Sequence, residues 1–160
     1  MSHSSATEAD YEAKLSRELE ARQIEAEHLV FEQSCHSVAE AAEAAGVTPG
    51  DFIKSIGCLT EDGRFVLAVV RGVDKVSSTR VGKALQTTAR IATPDEVLEH
   101  TGFPCGGTPP VGVDVPCLVD PRVMELRTLF GGGGSPRALL RMTSEELLRG
   151  NAGTLVRIRR

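Results

Sequence analysis

The spacing of apolar and polar residues along the chain predicts short helices mixed with short strands. Over residues 10–27, good helix formers carry Tyr11, Leu15, Leu19 and Ile24 at roughly helical spacing, which predicts an amphipathic helix. Shorter apolar runs bounded by turn residues predict strands instead. These strands cover residues 28–31, 56–60, 65–70, 89–92, 117–120, 128–130, 138–142 and 155–158.

Three helix starts are marked by a hydroxyl residue with a glutamate three positions later, the pattern of a capping box. In this arrangement the hydroxyl accepts a hydrogen bond from the third helical amide, and the glutamate accepts one from the amide of the capping residue. The pairs are Ser37 with Glu40, Thr93 with Glu96, and Thr143 with Glu146. The helices they predict run over 38–45, from Pro94 to near Gly102, and from Thr143 to Gly150.

Two further helices are predicted from composition, a short one at 52–54 after the turn at 47–51, and one at 77–85. The strands at 56–60 and 65–70 flank a turn with Gly63 and are predicted to pair as a hairpin. Short strands with separate helices indicate the α+β class, with a mixed sheet.

A chain of 160 residues is long enough for one hydrophobic core and short for two. It contains no internal repeat and no linker that would divide it. Residues 1–9 are polar and acidic and are predicted to form a disordered tail, which leaves residues 10–160 as a single compact domain.

Composition and charge favour a cytoplasmic globular protein. Hydrophobic residues make up 41% and charged residues 25% of the chain. The longest apolar stretch, Phe65–Val70, is too short to span a bilayer, and the N-terminus lacks the apolar core of a secretory signal. Residues 1–32 hold eight acidic and three basic residues, within a net charge of −4. This balance predicts no membrane association, no DNA binding, and only weak, salt-sensitive contact with nucleic-acid phosphates.

The usual catalytic and metal-binding patterns are not found. The four cysteines, at positions 35, 58, 105 and 117, form no C-x-x-C pair, so reduced structural thiols are expected. No G-x-S-x-G motif occurs, and Cys35 and His36 are sequence neighbours, which face opposite ways in a strand. No histidine, aspartate or glutamate cluster has metal-ligand spacing. Neither a metal nor a cofactor is expected.

Two glycine-rich loops and one lysine are the remaining candidates for chemistry. The loop Cys105–Gly112 combines flexible glycines with stiff prolines, and such a loop either presents amides to an oxyanion or is a structural crossover. The loop Gly131–Gly134 is expected to break the chain sharply and is otherwise unspecific. Lys54 stands between apolar residues, where a lysine either extends to solvent or projects its ammonium into a cleft. Spacing alone leaves these alternatives open.

Taken in order, the motifs of this chain resemble those of the YbaK/ProX family of aminoacyl-tRNA deacylases, the freestanding relatives of the editing domain of bacterial prolyl-tRNA synthetases. The similarity extends over roughly residues 19–158, and the order of the motifs is more specific than any one of them. The matching segments are Ser37–Ala42 with Gly46 and Val47, Ile53–Ser55, Ala92–Val97, Thr101–Phe103, Gly106–Gly112, Leu118–Asp120, Gly131–Gly134 and Thr143–Leu148.

The resemblance implies a compact α+β fold on a mixed, barrel-like sheet with flanking helices. It places the family's lysine at Lys54, which would position or neutralise polar groups around the aminoacyl ester at the 3′ end of a tRNA. Loop amides would hold the ester carbonyl, and water would attack with help from the terminal ribose hydroxyl of the tRNA. The substrate-binding residues implied in this way are Ser55, Gly106, Gly107, Pro109, Pro110, Gly132, Gly133 and Gly134.

The implied activity is a trans-editing deacylase for Cys-tRNA or Ala-tRNA of the proline type, with prolyl-tRNA synthetase as an accessory partner. Family members specific for cysteine or alanine carry a polar group in or just after the second loop, where this chain has Gly132 and then Ser135–Arg137. Two alternatives stay open. One is a catalytically silent module that binds tRNA or a synthetase, and the other is a thiol-dependent hydrolase that uses Cys105.

Overall fold

The computed structural model describes residues 6–35 and 37–160 and contains helices and strands of modest length. The helices are α1 (Glu8–Ala21), α2 (Val38–Ala45), α3 (Ser78–Ala84), α4 (Pro94–Thr101) and α5 (Ser144–Asn151), with 3₁₀ turns at Pro49–Asp51 and Pro121–Glu125. The strands are β1 (Glu27–Val30), β2 (Ile53–Thr60), β3 (Phe65–Arg71), β4 (Ala89–Ile91), β5 (Cys117–Val119), β6 (Thr128–Gly132), β7 (Ala138–Thr143) and β8 (Thr154–Leu155).

The strands form two sheets. One has the order β1-β7-β6 and is antiparallel throughout. The other has the order β4-β2-β3-β5-β8, with antiparallel pairs at β4-β2-β3 and parallel pairs at β3-β5-β8. The sheets meet where Phe52, just before β2, forms a parallel bridge with Phe130 of β6. This junction brings the start of β2 beside β6, and the candidate lysine lies on β2 directly after it.

Burial of the central strands explains why they form. All of Phe65–Val70 in β3 is buried, as a continuous apolar run requires of a strand covered on both faces. The largest group of buried side chains joins α1, α5 and both sheets and includes Leu15, Phe103, Leu129 and Leu147, each with no exposed surface. The fold is therefore α+β with a mixed sheet, as the sequence predicts.

Hydroxyl caps fix the helix starts. Thr93 accepts from the amide of Glu96 at 3.2 Å and the Glu96 carboxylate accepts from the amide of Thr93 at 2.8 Å, so this capping box is complete. Ser37 accepts from the amide of Glu40 at 3.1 Å, whereas the Glu40 carboxylate accepts from the Ser34 hydroxyl. The pair Ser37 and Glu40 therefore supplies the hydroxyl cap without the reciprocal hydrogen bond. The same holds for Thr143 and Glu146, because the Glu146 carboxylate binds Arg149 and the Glu25 amide instead.

Some local predictions are wrong. The short helix expected at 52–54 is absent, because Ile53 and Lys54 already pair with β3 as the first residues of β2. The only turn of helix there is Pro49–Asp51, where proline starts a 3₁₀ turn. The expected break at Gly131–Gly134 is also misplaced, since its first two glycines are paired residues of β6.

Other boundaries and the sheet's overall form differ from expectation. Helix α1 begins at Glu8, capped by Thr7, and ends at Ala21. The last residues of the predicted tail therefore belong to this helix and its cap, and residues 1–5 lie outside the described range. The last strand is reduced to Thr154–Leu155. The eight described strands lie in two separate sheets, so the barrel-like closure implied by the resemblance is not observed. No helix within residues 6–35 and 37–160 is long and apolar enough to cross a lipid bilayer.

Candidate active site

A cleft of about 380 Å³ opens where the two sheets meet. Its walls come from α2, the start of β2, the region between β4 and α4, the loop before β5, and β6 with β7. The lining is mostly apolar, and among the described residues it contains one charged side chain, Lys54. The full lining is Cys35, Ser37, Val38, Ala41, Phe52, Ile53, Lys54, Ser55, Ile56, Gly57, Ile91, Ala92, Val97, Cys105, Gly106, Thr108, Gly131, Gly132 and Leu139.

Lys54 is a half-buried cation with no hydrogen bond or ion pair to any other described residue. It sits opposite Val70 in the β2-β3 ladder. Burial lowers the pKa of its ammonium, the nearby Lys75 lowers it further, and Asp74 acts in the opposite direction. A cation that is partly desolvated and unpaired is available to a carbonyl, a phosphate or a developing negative charge in the cleft.

Ser55, the next residue along β2, also lines the cleft. Its hydroxyl oxygen is buried and has no hydrogen-bond partner among the described residues. An unpaired buried hydroxyl costs free energy, of order 1–3 kcal/mol, and such groups are frequent at functional sites. A bound molecule that reached this hydroxyl would remove the cost.

Two backbone amides in the loop before β5 are unpaired. Gly106 and Thr108 both line the cleft, and their amides donate to no group among the described residues. Gly106 has φ +87°, a left-handed conformation that glycine adopts without strain. Thr108 is buried and Gly106 is exposed, and two unpaired amides in one loop are suited to a carbonyl oxygen that gains negative charge.

The two glycine loops pack against each other, and this contact explains most of the glycines. A Cβ atom on Gly132 would lie 2.2 Å from the carbonyl oxygen of Thr108, and one on Gly107 would lie 2.6 Å from the amide nitrogen of Ser135. The amide of Gly134 donates to the carbonyl of Gly107 at 2.7 Å. Only glycine lets the two backbones come this close. The loops therefore form one unit rather than two independent ligand loops.

The structure brings four of the nine sequence-predicted site residues to the cleft and places five behind its wall. Pro110 packs under Gly131 from behind, and both prolines of the loop are buried. Gly133 faces β7, where a Cβ would lie 2.4 Å from the Leu139 amide. The residues at the cleft are Lys54, Ser55, Gly106 and Gly132, and those behind the wall are Gly107, Pro109, Pro110, Gly133 and Gly134.

Two cysteines line the cleft, and only Cys35 was not among the sequence candidates. Cys105, exposed at the loop, and the buried Cys35 both face the cleft. Burial raises the pKa of both thiols, and the Glu40 carboxylate raises that of Cys35 further. A raised pKa keeps a thiol protonated and unreactive at neutral pH, which weighs against the thiol-dependent mechanism. The sequence carried no sign of Cys35 at the site, because β1 and α2 place it there only through tertiary packing.

Neither general bases nor metal ligands converge on the cleft within the described residues. The Nε2–H of His28 donates to the carbonyl of Gly133 at 2.7 Å, and the ring of His100 stacks on that of Phe65 with centroids 4.6 Å apart. No group of three or more histidine, cysteine, aspartate or glutamate side chains in residues 6–35 and 37–160 has metal-site geometry. The local chemistry is that of a lysine, a hydroxyl and two amides around an apolar cleft.

Comparison with known proteins gives a consistent picture. A family model described as the aminoacyl-tRNA editing domain matches residues 32–149, a segment that holds all the residues lining the cleft. The uncharacterized protein YwhH of Bacillus subtilis is 32% identical over 73% of this chain and 76% of its own length. The proline–tRNA ligase of Thermotoga neapolitana is 31% identical over 61% of this chain, which spans only 17% of that ligase.

A solved structure extends the similarity to the whole fold. It is the crystal structure of a candidate trans-editing enzyme for prolyl-tRNA synthetase, with a TM-score of 0.84 and 29% identity, covering 99% of both chains. The matched segment of the family model contains the lysine, the hydroxyl and both glycine loops. The chain belongs to the aminoacyl-tRNA editing domain family.

Proposed function

We propose that this protein is a trans-editing deacylase, which hydrolyses the ester that joins a wrongly attached amino acid to tRNA. The observation that carries the proposal is that Lys54, whose ammonium is unpaired, lines one cleft together with Gly106 and Thr108, whose amides are unpaired. Membership of the editing-domain family supports aminoacyl-tRNA as the substrate class. The similarity to a candidate trans-editing enzyme supports action on free mischarged tRNA.

The proposed substrate is Cys-tRNA or Ala-tRNA of the proline type. The lining includes no carboxylate among the described residues and is largely apolar, which suits a small uncharged side chain. Gly57, Ala41 and Ala92 limit the bulk of the walls, and a Cβ on Gly57 would lie 2.7 Å from the Phe65 ring and 2.9 Å from the Val97 side chain. A small side chain therefore fits the cleft, and a charged one would lack a partner.

In the proposed mechanism Lys54 neutralises a phosphate or ester oxygen of the terminal nucleotide, and the amides of Gly106 and Thr108 hold the ester carbonyl. Water attacks this carbonyl while the terminal ribose hydroxyl of the tRNA assists in proton transfer. The carbonyl oxygen becomes an oxyanion, which the amides stabilise. Collapse of this intermediate breaks the bond to the ribose oxygen, and the free amino acid and intact tRNA leave. No protein nucleophile is needed.

The test is hydrolysis of tRNA-Pro charged with cysteine, alanine, serine or threonine, beside the cognate Pro-tRNA and Cys-tRNA. We expect rapid loss of the cysteine or alanine species, and loss of this activity in Lys54→Ala with an unchanged melting temperature. Lys83→Ala, an exposed lysine on α3, is the matched control and should retain full activity. Cys105→Ala should also retain it, since the protonated thiol has no role in the mechanism.

Two outcomes would overturn the proposal. Deacylation by Lys54→Ala at the wild-type rate would remove the lysine from the mechanism. Absence of hydrolysis across the whole panel, with tRNA still bound, would favour the silent binding module instead.

A further inference from the structure

A cluster of three polar side chains lies outside the cleft, where helix α1 crosses the second glycine loop; two of them are buried, and the third, Arg137, is 38% exposed and also contacts Glu8 at 3.4 Å. The Glu12 carboxylate of α1 accepts a hydrogen bond from the Ser135 hydroxyl at 2.6 Å and two from the Arg137 guanidinium, at 2.9 and 3.3 Å. Ser135 has no exposed surface, and the Glu12 side chain is 11% exposed. We call Glu12, Ser135 and Arg137 the Glu12 cluster.

The cluster is attached directly to the wall of the cleft. Ser135 follows Gly134, whose amide binds the carbonyl of Gly107, the neighbour of Gly106. Helix α1 also lies close to Gly134, since a Cβ atom on Gly134 would lie 3.0 Å from the carbonyl oxygen of Tyr11. A shift of the segment that holds Ser135 is therefore passed through one hydrogen bond to the loop that carries the free amides.

The cluster also anchors the strand segment that leads to Cys35. The carbonyl of Arg137 accepts from the amide of Phe31 at 2.8 Å, and the carbonyl of Pro136 accepts from the amide of Cys35. Cys35 lines the cleft. One carboxylate thus sits at the centre of contacts to two parts of the cleft wall.

Burying a carboxylate costs desolvation free energy, so stability alone does not explain the ion pair of Glu12. Burial alone would raise the pKa of Glu12, and the hydrogen bonds from Arg137 and Ser135 outweigh it and hold the pKa below its usual range. Apolar residues of similar volume stabilise a buried site at least as well as an ion pair does. A two-point contact between arginine and carboxylate instead fixes distance and angle, which is what a site built from backbone amides requires.

We propose that Glu12 is a positioning residue for the candidate active site, which sets the placement of the Gly106 and Thr108 amides through Ser135 and the Gly134–Gly107 hydrogen bond. The proposal rests on the proposed deacylase function. It assigns a role in the reaction to helix α1, which precedes the segment matched by the family model.

The test compares Glu12→Gln with Glu20→Gln in the full chain. Glu20 is exposed on the same helix, so the control makes the same chemical change away from the loop. We expect Glu12→Gln to lower kcat for the hydrolysed aminoacyl-tRNA at least tenfold with KM changed less than twofold, because the substrate still binds while the amides are misplaced. Ser135→Ala should lower kcat in the same direction, and it serves in place of Glu12→Gln should that variant not fold.

A second measurement does not depend on activity. In ¹H–¹⁵N spectra, the amide resonances of Gly106, Gly107 and Thr108 should move in Glu12→Gln and stay in place in Glu20→Gln. Unmoved amides would overturn the proposal, and so would moved amides with wild-type kcat. A wild-type protein that hydrolyses no aminoacyl-tRNA would refute the proposed function, while the spectra would still decide whether Glu12 places the loop.

Discussion

Lys54 lines a cleft that offers its ammonium no acidic partner among the described residues. Phe52 and Ile53 bury the start of β2, and the side chains that line the cleft with the lysine include no acid within the described residues. Its ammonium stays unpaired at the cleft, with Lys75 close enough to disfavour the charge. Such a cation binds an incoming anion or carbonyl at little cost, because no existing ion pair must be broken first.

The pH dependence of deacylation should follow the charge on Lys54. Since burial and Lys75 lower the pKa of Lys54, the active ammonium is lost as pH rises through this lowered value, below the usual lysine range near 10.4. Removing the Lys75 charge raises the pKa of Lys54, so Lys75→Gln should move the alkaline loss of kcat to higher pH. The measurement is the enzymatic rate against pH after subtraction of uncatalysed ester hydrolysis.

Lys83→Gln removes a lysine charge elsewhere on the surface and should leave the profile in place. If the loss of kcat at alkaline pH occurs at the same pH in Lys75→Gln as in wild type, or at a lower pH, the titrating group is not Lys54.

At the scale of elements, the cleft depends on how closely two loops approach. Strand β6 and the loop before β5 meet at Gly132 and Thr108, and the Gly134–Gly107 hydrogen bond joins the ends of both loops. The glycines look in sequence like ligand-binding positions. In the structure most of them allow backbone to pack on backbone, and this packing shapes the loop that carries the unpaired amides of Gly106 and Thr108.

Gly132→Ala should therefore damage both stability and activity. The added Cβ would meet the Thr108 carbonyl oxygen at 2.2 Å, and such overpacking costs about 1–3 kcal/mol. Chemical denaturation would measure the loss of unfolding free energy, and deacylation would fall with it because the loop that carries the amides must move. Gly50→Ala is the control, since its Cβ has no neighbour nearer than 3.7 Å. Equal stability of the two variants would contradict the tight approach of the loops.

At the scale of the whole molecule, Asp120 fastens the C-terminal segment to the larger sheet. Its side chain is fully buried after β5 and accepts from the amides of Ile158 and Arg159, at 3.0 and 3.1 Å, and from the Arg159 guanidinium at 2.8 Å. A fourth bond comes from the Arg122 amide at 3.0 Å. Strand pairing at 155–158 is limited to Leu155 in β8. The rest of the segment is held by this carboxylate together with backbone hydrogen bonds, from Val156 to Val119 and from Ser77 to Ile158.

Asp120→Ala should lower the free energy of unfolding by about 3–5 kcal/mol, the usual cost of removing one partner from a buried ion pair. Burial alone would raise the pKa of Asp120, and its hydrogen bonds outweigh this and lower the pKa. The stabilisation by Asp120 is therefore complete above its pKa in the unfolded chain, near 3.9, and is lost as pH falls through its lower pKa in the folded protein. Denaturant titration of wild type and variant at pH 7 and at pH 2–3 would show the difference shrink in acid.

Asp114→Ala is the control for this experiment. Its side chain is 93% exposed and forms one surface ion pair with Arg22 at 2.9 Å, which predicts a change of about 1 kcal/mol or less. A change for Asp120→Ala no larger than this would refute its role as a fastener.

Local signals in the sequence were enough to predict most of the helices and strands. The Thr93 cap, the hairpin around Gly63 and the end of α2 at Gly46 follow from residue chemistry within a few positions, and the structure confirms each. The helix predicted at 52–54 failed because pairing with β3 and the Phe130 bridge decide that segment. Those partners are far away in sequence, and no local preference encodes them.

By itself, the sequence determined the α+β class and the order of the motifs, since periodicity, caps and motif order are properties of neighbouring residues, and the resemblance of these motifs predicts a role for Lys54. Tertiary structure alone decided which candidates face the cleft. Gly106 and Gly132 reach it while Gly107, Gly133 and Gly134 hold its wall together. The physical reason is that the cleft forms between two sheets and two loops distant along the chain, so only their packing determines which atoms stay free to bind.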